Sequence, residues 1–169
     1  MNEKQTIFSP CRKYRYTLWR SWADDLFRNK TKEGYVMFIG LNPSTADETI
    51  DDPTIRRCID FTKRWGYLTL CMTNAFAFRA TDPKVMKAHQ QPIGADNTNQ
   101  IIEIAEQADI IVAAWGKHGN HLGRQAQVLD ALTPWRTKLH HLGLNDDGTP
   151  KHPLYLKATT VPIPFQHSP

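Results

Sequence analysis

Four apolar runs in this chain each end in residues able to do chemistry. Asn42-Pro43-Ser44-Thr45 follows Val36 to Ile39 and Gly40, and Asn74 follows Tyr67 to Met72. Trp115-Gly116 follows Ile110 to Ala114, and His152-Pro153 lies beyond Lys138 to Leu142. A side-chain amide donates and accepts at once. Asn42 and Asn74 in one cleft therefore suit the mixed donor and acceptor edge of a nucleobase, and Asn42 also suits the holding of a water. Each amide is equally suited to bonding nearby backbone and shaping a turn. His152 stands before a proline, which biases it to extended backbone and lets its ring project from a loop. There it could hydrogen-bond negative charge developing on a leaving group, or act as an acid. Asp47 and Asp51 follow closely after Asn42, and one such carboxylate could take the proton of a water. Asp52, before Pro53, reads as a helix cap.

Other residues extend the set, each with a structural alternative. The hydroxyls of Ser44 and Thr45 could cap a helix or meet a phosphate. Arg56, early in the following helix, could meet phosphate with help from the helix dipole, or pair with the nearby aspartates. Phe78 and Trp115 could stack on a base or cap the core. Lys117, Arg124 and Lys151 would form a positive rim or a solvated surface. The pairs His118/His121 and His140/His141 lack a zinc spacing, and adjacent histidines on a strand face opposite ways, so no metal is expected.

The elements that must position these groups follow from the apolar pattern. Tyr14 to Arg20 alternates bulky and charged residues, as an antiparallel strand at a sheet edge does. Tyr35 to Ile39 reads as the first central strand. Asp52-Pro53 opens a helix carrying Ile55, Cys58, Ile59, Phe61, Thr62 and Trp65, which stops at Gly66. Tyr67 to Met72 is a second strand, followed by a long polar connection through Phe78, Arg79, Asp82 and Pro83. A helix over Asp96 to Gln107, a strand over Ile110 to Ala114, a helix near Leu122 to Leu132 and a strand near Lys138 to Leu142 come next. Asn145 to Pro150 is a turn. This alternation predicts a three-layer α/β/α sandwich around a mostly parallel four-stranded sheet, with an N-terminal antiparallel edge strand or hairpin. Residues 1–169 would form one domain, 1–34 being the edge extension and 157–169 an irregular tail. In such a sheet the strand exits converge on one cleft.

Composition bounds the function. The 169 residues suffice for one core without disulfide staples. Three scattered cysteines fit neither a disulfide framework nor paired metal ligands, which points to a reducing, cytoplasmic setting. No apolar leader or bilayer-spanning run is present in the sequence, so no membrane association is expected. The net charge of +4 is compatible with a polyanionic partner without being a basic tail.

The run Gly40-Leu41-Asn42-Pro43-Ser44-Thr45-Ala46-Asp47, with Asp51-Asp52-Pro53-Thr54-Ile55-Arg56-Arg57-Cys58, resembles a bacterial and phage family of unknown function. The likeness extends through Asn74 to Pro83 and on to His152-Pro153-Leu154-Tyr155-Leu156. A more distant resemblance is to the mismatch-specific branch of the uracil-DNA glycosylase superfamily, whose first motif reads Gly-Ile-Asn-Pro-Gly. That resemblance implies that Asn42 positions the attacking water and that Asn74 reads the base. Ala114-Trp115-Gly116 is similar to the strand end before the last motif. His152-Pro153 is similar to the start of the His-Pro-Ser motif, whose histidine stabilises the departing base and whose following loop wedges into DNA. Ser44 stands where the first motif ends in glycine, and Leu154-Tyr155 stands where the last continues Ser-Pro. With three cysteines, the four-cysteine iron–sulfur cluster of some branches is not expected, nor is another cofactor.

The expectation is therefore a nucleobase-directed N-glycosidase acting on nucleic acid or nucleotide. In it Asn42, Asp47, Asp51 and His152 would do the chemistry. Gly40, Pro43, Ser44, Asn74, Phe78, Trp115 and Gly116 would line the base site, and Thr45, Arg56 and Lys151 would meet phosphate. The alternatives are a non-catalytic nucleotide or nucleic-acid binding module, or a small-molecule nucleoside or nucleotide hydrolase on the same fold.

Overall fold

A computed structural model describes residues 3–22 and 31–166. Residues 1–2, 23–30 and 167–169, parts of the expected N-terminal extension and tail, lie outside the described residues. The chain is an α/β protein built on a mixed sheet of seven strands: β1 (Glu3–Phe8), β2 (Arg15–Ser21), β3 (Val36–Gly40), β4 (Thr69–Asn74), β5 (Ile110–Ala113), β6 (Leu139–His141) and β7 (Ile163–Pro164). Their order across the sheet is β1-β2-β4-β3-β5-β6-β7. β3 pairs in parallel with both β4 and β5, and β5 pairs in parallel with β6. β1 and β2 form an antiparallel hairpin whose second strand joins the edge of β4. β7 pairs antiparallel to β6, so part of the segment expected to be an irregular tail is a short strand.

Side-chain alternation gives the sheet two covered faces. Val36, Phe38, Leu70, Met72 and Val112 pack with Ile55, Cys58 and Phe61 of α1 (Pro53–Arg64). Met37, Ile39, Cys71, Ile111 and Ala113 pack on the opposite face. Their partners there are Ile101, Ile104 and Ala105 of α3 (Asn97–Gln107) and Val128 of α4 (Arg124–Ala131). Between β4 and α3 the expected long polar connection contains a short helix, α2 (Pro83–Ala88), where Asp82 accepts from the Lys84 N–H at 2.8 Å.

α1 shows why the sequence starts a helix where it does. Asp52 Oδ1 accepts from Ile55 N at 2.9 Å, Pro53 occupies the first turn, and Lys63 and Arg64 complement the dipole at the far end. Trp65 closes the helix and stacks against Phe61 and Phe38 at centroid distances of 5.6 and 5.8 Å.

The connections define the site. From β3 the chain passes through α1 to β4 on one side, then crosses by α3 to β5 on the other. The strand order therefore reverses at β3, and a crevice opens beyond its carboxyl end, where open α/β sheets bind ligands.

Candidate functional site

That crevice is a cleft of about 400 Å³, within the range of small-molecule sites. Gly40, Leu41 and Asn42 leave β3 into it, Asn74 enters from the end of β4, and Trp115 and Gly116 border it beyond β5. The first residues of α1 close one side. His152 arrives by a longer route. After β6 the chain makes a turn in which Gly148 N donates to Asn145 O, and Asp147 Oδ1 accepts from Thr149 N and Oγ1. It returns alongside the β5 exit, where Gly116 N donates to Pro150 O at 2.9 Å. Gly116 has φ +71°, a conformation that favours glycine, and this backbone position brings His152 against the cleft.

The orientation of each polar group is set by a neighbour that can play only one role. Asn74 Oδ1 accepts from Nη2 of Arg15 at 3.3 Å. A guanidinium has only donors, so the facing atom is the amide oxygen and Nδ2 turns the other way, over Gly40. Asn42 Nδ2 donates to the carbonyls of Ala80 at 2.7 Å and Pro43 at 3.1 Å, which can only accept. Its Oδ1 is left without a hydrogen-bond partner among the described residues. His152 Nδ1 accepts from Leu154 N at 3.3 Å, so the neutral ring carries its proton on Nε2. Burial pushes the His152 pKa down, opposed in part by the Asp52 carboxylate. The cleft thus displays an amide donor, an imidazole donor and an amide acceptor.

Several expected site residues stand elsewhere. Asp47 Oδ1 accepts from Thr49 N, Ile50 N and Thr49 Oγ1, at 2.8, 2.8 and 3.1 Å. Those bonds hold its pKa below the usual carboxylate range, and a carboxylate so satisfied is a turn staple outside the cleft. Asp51 pairs with Arg20 at 2.6 Å and Lys4 at 3.4 Å and also stands outside. Phe78 is stacked on His89 at 3.9 Å and meets the edge of Tyr14, so its ring is occupied away from the cleft. Trp115 borders the cleft but is 1 % exposed, with Nε1 donating to Gln125 Oε1 at 2.7 Å. It is part of the core and offers no open face.

The expected phosphate contacts are dispersed as well. Arg56 donates to the Asp51 carbonyl and lines a separate surface depression with Arg57 and Leu154. Thr45 and Lys151 are exposed outside the cleft. Pro43 is buried and acts through its carbonyl, which accepts from Ala80 N at 2.9 Å. Ser44 lines the cleft, its hydroxyl 3.4 Å from that of Thr81. Arg124 is a buried strut rather than a rim, donating to Ala75 O at 2.7 Å and Thr98 Oγ1 at 3.0 Å. Of the basic rim residues, Lys117 alone borders the cleft. Among the described residues no group of three or more histidines, cysteines and acids is placed to hold a metal.

The family model described as "protein of unknown function (DUF1643)" matches residues 15–154. The chain belongs to the DUF1643 family. No curated protein and no solved structure matches it. The DUF1643 match begins at Arg15 and ends two residues past His152, so it contains every polar group that defines the cleft. No helix among the described residues is long and apolar enough to cross a membrane.

Two residues of this DUF1643 member escape a reading of the sequence. Arg15 sits in an alternating segment that suggests a half-exposed strand, yet it is 2 % exposed and borders the cleft. Asp52 caps α1 as expected, and its carboxylate also lies on the cleft, where its charge acts on both Arg15 and His152.

Proposed function

We propose that the cleft is the site of a nucleobase-directed N-glycosidase on a scaffold akin to the uracil-DNA glycosylase superfamily. One observation carries the reading: Asn42, Asn74 and His152 border one cleft at the strand-order reversal, each held in a single hydrogen-bonding sense. Asn74 Nδ2 would donate to the edge of the base. Asn42 Oδ1 would accept from a water and aim its oxygen at the anomeric carbon. An amide is a weak base, so the reaction suited to it is one in which the sugar has already become strongly electrophilic. The carbon–nitrogen bond breaks with its electron pair leaving on the base. His152 Nε2–H hydrogen-bonds that charge, and the water oxygen joins the sugar as its proton passes to solvent. A neutral imidazole performs this role as a donor, which fits a ring whose pKa burial has lowered.

A second reading has its own support. Arg56, Thr45 and Lys151 stand off the cleft, leaving few groups at its mouth for a phosphate backbone. That favours a nucleoside or nucleotide as substrate over duplex DNA. Against it, Tyr155 is 90 % exposed three residues beyond His152 and offers a face on which an unpaired base of a strand could stack. Extruding a paired base would cost a few kcal/mol.

The deciding experiment incubates the protein with nucleosides and with oligonucleotides bearing uracil, mismatches or modified pyrimidines, and detects free base by mass spectrometry. Release that is lost in Asn42→Ala and His152→Ala establishes the glycosidase. Binding without release makes the cleft a recognition module. Steep weakening of binding with added salt would mark nucleic acid as the ligand, and little salt dependence would mark a nucleoside.

A further inference from the structure

Arg15 is costly to bury, and its surroundings show what it acts on. The side chain is 2 % exposed and makes no ion pair among the described residues, and its Nε has no hydrogen-bond partner. Its directed contacts are with Ala46 O, from Nη1 at 2.9 Å, and with Asn74 Oδ1, from Nη2 at 3.3 Å. The first pins the guanidinium and the second acts on the cleft. Asn97 Nδ2 holds the backbone of the same strand end, donating to Asn74 O at 2.8 Å and Ala75 O at 3.1 Å. Gly40 leaves the space that Asn74 Nδ2 occupies, since a Cβ there would stand 2.8 Å from that nitrogen.

We infer that Arg15 is a positioning residue that holds Asn74 as a donor-only reader, so that the cleft selects bases presenting a carbonyl oxygen to Asn74 over bases presenting an exocyclic amine. The inference rests on the base-reading role proposed above for Asn74. Flipping the amide would set its NH₂ against a guanidinium that can only donate, and two buried donors facing each other disfavour that state by roughly tenfold or more. An amide free to flip would read either edge by turning over. Here the turn is blocked by a residue of β2 buried at the border of the cleft. Proximity of the positive charge also polarises the amide and strengthens Nδ2 as a donor.

The test compares the affinities of uridine, with a carbonyl at C4, and cytidine, with an amine there, by calorimetric or NMR titration. The wild-type protein should prefer uridine by about tenfold or more, the discrimination expected when a buried donor meets another donor. Arg15→Met should bring the two affinities within about threefold while retaining cooperative thermal unfolding and measurable binding of both. Asn74→Ala should show the same small ratio, and adding Arg15→Met to it should change the ratio no further, since Arg15 acts through Asn74. Preference of the wild type for cytidine, or an unchanged ratio in Arg15→Met, would overturn the inference while leaving a base-binding cleft in place. If Arg15→Met does not fold, Arg15→Gln takes its place: a glutamine amide can accept as well as donate, so it too should bring the two affinities within about threefold, and an unchanged ratio would overturn the inference. Failure of the wild type to bind either nucleoside would remove the base-reading role itself, an outcome recognised by absent binding rather than by an altered ratio.

Discussion

Gly40 and Asn74 are register partners at the carboxyl ends of the parallel strands β3 and β4, and a Cβ on Gly40 would stand 2.8 Å from Asn74 Nδ2. The same Cβ would meet the terminal methyl of Met72 at 2.6 Å. Gly40 is thus required for close approach rather than for a special backbone conformation. Gly40→Ala should fold, because the Met72 end can move, at a cost of about 1–2 kcal/mol. Its larger effect should be on the ligand, since the Asn74 amide must leave its place. Denaturant unfolding and nucleoside titration on one preparation check this. A variant that loses stability but keeps full affinity would show that the amide does not need this position.

Asn42 joins two loops as well as facing the cleft. Its Nδ2 bonds to Ala80 O and Pro43 O tie the exit of β3 to the segment after β4. Asn42→Ala should cost about 1 kcal/mol for the lost bonds. Asn42→Asp should cost more near neutral pH, because an ionised carboxylate would face two carbonyl oxygens and have no proton to give them. Chemical denaturation of both variants gives the comparison. Equal stabilities would mean that the amide nitrogen is not held as described.

What the sequence disclosed, and what it withheld, follows from the range of the interactions involved. α1 was legible because its cap, its proline and its apolar spacing are all local, and Asp52 caps Ile55 as that pattern requires. Buried strands such as Val36–Gly40 were legible from continuous apolar runs. The placement of Asn42, Asn74 and His152 around one cleft was legible through the strand exits. Arg15 was not, because its burial depends on β2 pairing with β4, a partner about fifty residues away in the chain. Asp47 and Asp51 misled for a related reason. Their types and spacing suit general base chemistry, but a turn and the distant Arg20 take up their oxygens. Phe78 likewise looks available until His89 is found stacked on it.

Stability should fall on mild acidification, and the sign follows from the histidines. Burial lowers the pKa of His152 and of His141, with Asp52 opposing the shift at the first and His140 adding to it at the second. A histidine whose folded pKa lies below its unfolded value of about 6.5 takes its proton first in the unfolded chain. Its contribution is therefore complete above about pH 6.5 and is lost as pH falls through the folded value. Thermal unfolding between pH 7.5 and 5 should show a falling midpoint, and the fall should be shallower in His141→Phe. A midpoint rising over that range would contradict the neutral state of both rings.

Asp51 and Asp47 provide a sharper test, because one account makes them chemical and the structure makes them mechanical. Arg20 is almost wholly buried and donates through Nε to Asp51 at 2.6 Å, while its Nη2 reaches the Asp47 carbonyl at 2.5 Å. Removing the carboxylate leaves a buried guanidinium without its counter-charge, so Asp51→Ala should cost about 3 kcal/mol. Asp47→Ala removes the staple on Thr49 N and Ile50 N and should cost about 1–2 kcal/mol. Neither carboxylate reaches the cleft, so at a temperature where both variants are fully folded, ligand affinity and any base release should match the wild type. Unfolding curves and titrations run together separate the two roles. A variant of normal stability that lost only turnover would return that aspartate to the chemistry.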